Sequence, residues 1–242
     1  MKIEVTDLKK IYNKELKLNI ESLTINSGEI FGLVGNNGAG KTTFFRLILD
    51  LIKADSGIVL SDNNPVNESL KWKEYTGSFL DSGFLIEFLT PEEYFYFVCE
   101  LYNITRNDAS ERLKVFENFF NGEILGKKGK YIRDFSRGNQ QKIGIASALI
   151  THPKMLILDE PFNGLDPTSQ IILKEMLKEF NKSAGATILI SSHDLTHISE
   201  TCTRIALLEK GKIIKDIPAN DNALAELLDY FGQRINLNSV AQ

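Results

Sequence analysis

Residues Gly35, Asn36, Asn37, Gly38, Ala39, Gly40, Lys41 and Thr42 follow the order G-x-x-x-x-G-K-[ST], whose chemistry is phosphate binding. Glycines let the backbone curl so that successive N–H groups point at phosphate oxygens. A helix starting near Lys41 adds its positive end. Lys41 reaches the β- and γ-phosphates, Thr42 offers a hydroxyl to Mg²⁺, and the nucleotide-binding run extends to Thr43. A random chain of this length would match the pattern on the order of once in a hundred. Here it also stands where the chemistry needs it, between the apolar run Ile30–Val34 and a helical pattern, so a nucleotide is the expected ligand.

A second constellation is the apolar run Met155–Leu158 followed by Asp159 and Glu160. Such a run reads as a buried central strand, and ligands in open α/β sheets bind at the carboxyl ends of the strands. Asp159 is expected to hold Mg²⁺ through water. Glu160, turned the other way by strand alternation, is expected to polarise an attacking water as general base. His193 and His197 stand four apart, a spacing seen in zinc sites. Asp194 occupies the place where that motif has Glu, however, and no third ligand stands out.

With these motifs in this order, residues 1–217 resemble the nucleotide-binding subunits of ATP-binding-cassette (ABC) transporters. Phe135-Ser136-Arg137-Gly138-Asn139 resembles the family's signature, usually LSGGQ, with Ser136 and Gly138 retained. The resemblance implies an ATPase using ATP and Mg²⁺. It assigns His193 to the γ-phosphate and attacking water, Tyr12 to stacking on adenine, and Asp166 to a loop that crosses between two subunits. Asp166 is equally explained as a helix N-cap before Pro167. Asp81 stands where the family usually has a glutamine that touches Mg²⁺ and links two lobes, which puts direct metal contact and hydrolysis rate in question. Ser136 is expected to complete the site of a second, head-to-tail cassette subunit, identical or different. A separate transmembrane permease is the other implied partner, which would place the chain at the cytoplasmic face of a membrane. The short tail leaves no room for the C-terminal regulatory domain of some importers, a slight leaning toward exporter-type cassettes.

The elements that must position these residues form an α/β pattern: a P-loop NTPase core with a mostly parallel sheet, an N-terminal β subdomain and an inserted α-helical subdomain. Strands are expected at Ile3–Val5, Leu16–Ile25, Ile30–Val34 and Ile58–Leu60, with Leu16, Leu18 and Ile20 on one face. Phe44, Leu47, Ile48 and Leu51 form the stripe of a helix from Lys41. Residues 81–151 read as all-helical, over Pro91–Tyr102, Asp108–Phe120 and Asn139–Ile150. Alternation then resumes with strand Met155–Leu158, helix Pro167–Asn181, strand Thr187–Ser191, helix Leu195–Glu200 and strands Arg204–Leu208 and Lys212–Lys215. The core is therefore 1–80 with 152–218, and 219–242 is a short helical tail. Nine aromatics lie between Tyr75 and Tyr102. Tyr94, Phe95, Tyr96 and Phe97 cannot all face one core, so some are expected on a surface that receives a partner's helix.

Composition narrows the alternatives. The 242 residues are 43% hydrophobic and 25% charged, as in globular proteins. A net charge of −4 gives no footprint for nucleic acid, and none is expected as a partner. Cys99 and Cys202 lie far apart, without the spacing of a zinc cluster or disulfide framework, which suits a reducing compartment. The N-terminus does not read as a signal peptide. No apolar run approaches the ~20 residues that span a bilayer. Chromosome-maintenance and translation ATPases share these motifs but carry long coiled coils or two cassettes, and neither is seen. A module that binds ATP without hydrolysing it is the remaining alternative, disfavoured by Lys41, Asp159, Glu160 and His193 together.

Overall fold

The structure is a computed structural model and describes residues 1–220 and 222–230. Two sheets carry it. β1 (Ile3–Tyr12), β2 (Glu15–Ile25), β4 (Ser56–Ser61) and β5 (Asn64–Pro65) form an antiparallel sheet in the order β2-β1-β4-β5. The second sheet has the order β10-β9-β3-β8-β7-β6, formed from β3 (Ile30–Val34), β6 (Thr76–Phe79), β7 (Met155–Leu158), β8 (Thr187–Ser192), β9 (Arg204–Glu209) and β10 (Lys212–Pro218). All its pairings are parallel except β9 with β10.

β3, β7 and β8 are buried at every position, as strands covered on both faces must be. Their register sets Val34 beside Ser192 and Leu158 beside Ile190. The chain therefore leaves three neighbouring strands at one edge, at Gly35, Asp159 and His193.

α1 (Lys41–Ile48) follows β3 and buries Phe44, Leu47 and Ile48. Leu51 is not on that stripe, because the helix ends at Ile48 and Asp50 turns the chain with φ +47°. Leu16 also departs from expectation. Leu18 and Ile20 are buried, but Leu16 is exposed opposite exposed Ile11, where the β1–β2 register shifts beside the Asn13–Lys14 turn.

The lobe between β6 and β7 is helical. α2 (Pro91–Leu101) starts with a reciprocal Thr90–Glu93 cap, and α3 (Arg106–Leu113) with Thr105. The expected helix Asp108–Phe120 is broken: a 3₁₀ turn, Lys114–Phe116, separates α3 from α4 (Glu117–Phe120). That tightened turn accompanies burial of Phe116, Phe119 and Phe120 together, with Phe120 stacked 5.7 Å from Phe95. α5 (Arg137–Leu149) then leads into β7. α6 (Pro167–Ala184) buries Leu173 and Leu177, and Gly185 ends it in left-handed backbone. α7 (Leu195–Thr201) lies between β8 and β9. Residues 223–230 are helical and bury Ala223 and Leu227. The rest of the expected tail, 231–242, lies outside the described residues.

Candidate active site

Residues 35–40 join a buried strand to a helix N-terminus. Gly40 caps α1, and no side chain accepts from its first turn. Those N–H groups are thus available to an anion, which the helix end favours. A cavity of about 340 Å³ opens over them, lined by Tyr12, Lys17, the run Asn36–Thr43 and Glu160. Gly35 lies just outside that lining, where its carbonyl takes the Lys41 amine at 2.6 Å. Lys41 is buried, reaches the Asn36 carbonyl at 3.5 Å and pairs with Glu160 Oε1 at 3.1 Å.

Asp159 is buried at the end of β7 and accepts from the hydroxyls of Thr42 and Ser191. Burial pushes its carboxyl above the usual range, against the two hydroxyl bonds that lower it. Thr42 and Asp159 thus present two hard oxygens from different elements at one point. A partly desolvated carboxylate is the donor chemistry that suits Mg²⁺.

Glu160 reaches the same site by another route than strand alternation. β7 ends at Leu158, and Glu160 has φ +48°, a left-handed turn that a non-glycine residue adopts at a cost of about 1–3 kcal/mol. The turn swings its carboxylate back toward the loop. There Oε1 meets Lys41 and Oε2 meets His193 Nδ1 at 2.9 Å. The His193 backbone N–H also donates to Oε2, at 3.3 Å.

Tyr12 ends β1, half exposed at the cavity wall, with the Lys10 amine 5.3 Å from its ring centroid. Asp81 is engaged by its own turn and by α1. It accepts from the Gly83 N–H at 2.7 Å to cap a 3₁₀ turn, and Arg46 of α1 lies 3.8 Å from its other oxygen. None of its bonds joins Thr42 or Asp159. The short carboxylate is used by its own turn.

Ser136 is exposed and caps α5, accepting from the Asn139 N–H at 3.3 Å. Neither Ser136 nor Gly138 lines the cavity. Asp166 caps α6, accepting from the Ser169 N–H at 3.0 Å and hydroxyl at 2.5 Å. The Ser169 bonds chiefly, with Lys142 beside them, lower its pKa to about 2. His197 packs its ring on Phe162 at 4.6 Å and lies 3.7 Å from Asp194. Burial lowers its pKa.

Ser191 is a site residue that motif reading missed. Its hydroxyl donates to Asp159 and accepts the Glu160 N–H at 2.9 Å. The signal was sheet register: β8 runs beside β7, so the residue after Ile190 stands level with Asp159.

The profile of the ABC transporter family matches residues 18–163. An uncharacterised ABC transporter ATP-binding protein of Nostoc is 32% identical, over 88% of this chain and 65% of its own length. The bacitracin transport ATP-binding protein BcrA of Bacillus licheniformis is also 32% identical, over 89% of this chain and 69% of its own. The chain spans about two thirds of the length of these curated relatives. A solved ATP-binding subunit of an ABC transporter superposes with TM-score 0.82 at 27% identity, covering 96% of this chain and 94% of that one. A cassette solved as a dimer with ADP and phosphate shares the fold, with TM-score 0.79 at 24% identity over 90% of this chain and 99% of that one. With its loop, its carboxylate strand and its sheet order all of one kind, the chain belongs to the ABC transporter family of ATP-binding cassettes.

Proposed function

We propose that the chain is the ATP-binding and ATP-hydrolysing subunit of an ABC transporter and drives a separate transmembrane permease. The observation that carries this is the meeting of Lys41, Thr42, Asp159, Glu160 and His193 at one sheet edge, above an uncapped helix N-terminus. The loop N–H groups and Lys41 bind the phosphates, and Tyr12 offers its ring to the base. Thr42 and Asp159 would hold Mg²⁺, which supplies charge neutralisation on the phosphate oxygens. Glu160 takes the proton of the attacking water as that oxygen bonds to the γ-phosphorus and the β–γ bridge oxygen departs with ADP. His193, bonded to Glu160, orients the carboxylate and the γ-phosphate.

The site is completed in trans in this reading. Ser136 and Gly138, absent from the cavity wall, would engage nucleotide held by a second cassette subunit, and a cassette of the same fold solved as a dimer supports a two-subunit form. ATP closes the dimer and hydrolysis opens it. On the lobe, Phe84, Phe88, Phe97 and Leu101 are exposed while Tyr94 and Phe95 are buried. That exposed apolar group suits a permease helix. Among the described residues no helix is long and apolar enough to cross a membrane. In this reading a permease would hold the chain at the cytoplasmic face.

The test is ATP turnover by the purified chain, together with size exclusion of Glu160→Gln in Mg²⁺ or Na⁺ with ATP. Turnover by the wild type and an ATP-dependent dimer of the variant are expected. A Glu160→Gln chain that turns over ATP at the wild-type rate would remove Glu160 as the base.

A further inference from the structure

Glu160 holds a costly backbone conformation, and two elements pin it from opposite sides. Its N–H donates to Ser191 of β8. Its carbonyl accepts from the side-chain amide of Gln141 on α5 at 3.2 Å, and the same amide reaches the Pro161 carbonyl at 3.3 Å. Both acceptors are carbonyls, so the nitrogen end of Gln141 must face them. One turn of α5 earlier, Gly138 abuts the same loop: a Cβ there would lie 2.6 Å from the Gly164 carbonyl. Next to Gln141, the buried Lys142 amine lies 3.6 Å from Asp166, where the loop enters α6.

α5 thus grips the loop 160–166 at its start, middle and end. A left-handed non-glycine residue persists only when its surroundings over-determine it, and these contacts supply that determination on the carbonyl side. We propose that Gln141 and Lys142 are positioning residues for hydrolysis: they fix the loop so that the Glu160 carboxylate stays between Lys41 and His193. The role of Glu160 as base is that of the proposed function, on which the effect on turnover rests.

The experiment separates positioning from folding and from the base assignment. Gln141→Leu removes the donor, and Gln141→Glu keeps the shape but sets an acceptor against two carbonyls. Lys142→Met removes the amine and Lys142→Arg restores a cation. ATP affinity, kcat, KM and melting temperature are measured for each. The side-chain resonances of the three histidines are followed by NMR without nucleotide. In Gln141→Leu, Gln141→Glu and Lys142→Met, kcat is expected to fall by about ten- to a hundredfold with ATP affinity kept within about twofold. The His193 signal shifts while His152, whose ring faces Phe180, does not. Lys142→Arg recovers most of the rate. An unmoved His193 signal in these variants overturns the proposal whether or not the wild type hydrolyses ATP. So does a loss of ATP binding that parallels the loss of rate, which would mean a general structural defect. A wild type without turnover, combined with a shifted His193, would keep Gln141 and Lys142 as positioners of Glu160 and remove Glu160 as base.

Discussion

Asp159 and Glu160 are neighbours in sequence with opposite surroundings. Asp159 is buried and met by two hydroxyls, whereas Glu160 is met by an ammonium and an imidazole. Their chemical types and their place after an apolar run are legible from the sequence. The direction of Glu160 is not, because it depends on one left-handed residue before Pro161, and no periodicity reports a single backbone turn. Asp166 shows the reverse case, where local sequence carries the whole geometry: Asp, then Pro, then Ser169 three residues on form a cap that the structure reproduces. Its folded pKa of about 2 lies below the ordinary 3.8, so its stabilising effect is full above about pH 4 and fades as pH falls through about 2. Asp166→Ala should lower stability at neutral pH by about 1 kcal/mol, a melting shift of about 2–4 °C. In paired thermal melts that gap should close between about pH 4 and pH 2. A gap that stays constant over this range would show that the carboxylate charge contributes nothing to the cap.

At the scale of elements, β3 and β7 are readable to the residue, since a buried parallel strand is an uninterrupted apolar run with turn signals on each side. β6 is not readable: Thr76-Gly77-Ser78-Phe79 has one large apolar residue, and only its pairing with β7 makes it a strand. What seats α5 on that strand is equally long-range. A Cβ on Gly144 would fall 2.0 Å from the Phe79 ring, so the helix approaches β6 at a distance that only glycine permits. Gly144→Ala should therefore overpack the junction of lobe and core, lowering stability by about 1–3 kcal/mol. Because α5 also grips the loop of Glu160, that variant should lose turnover beyond what its melting temperature explains. Assays well below the melting point give the answer: a rate equal to wild type there would separate the β6 contact from catalysis.

At the scale of the molecule, the division between sites has a consequence that single-chain chemistry lacks. Lys41 lines the cavity and Ser136 does not; on the proposed trans reading, a composite site would take Lys41 from one subunit and Ser136 from the other. In a two-fold dimer of identical chains, Lys41→Ala and Ser136→Arg should each remove both sites. When the two inactive variants are mixed, the heterodimer has one site with both residues intact and one with neither. Random pairing makes about half the dimers mixed, so about a quarter of wild-type turnover should return if the sites act independently. A cooperative pair of sites would return less, and a partner cassette of different sequence would return none. Each parent variant alone, assayed at the same total concentration, sets the baseline. Activity in the Ser136→Arg chain by itself would be the decisive contrary result, because the cavity as it stands in one chain would then suffice for hydrolysis.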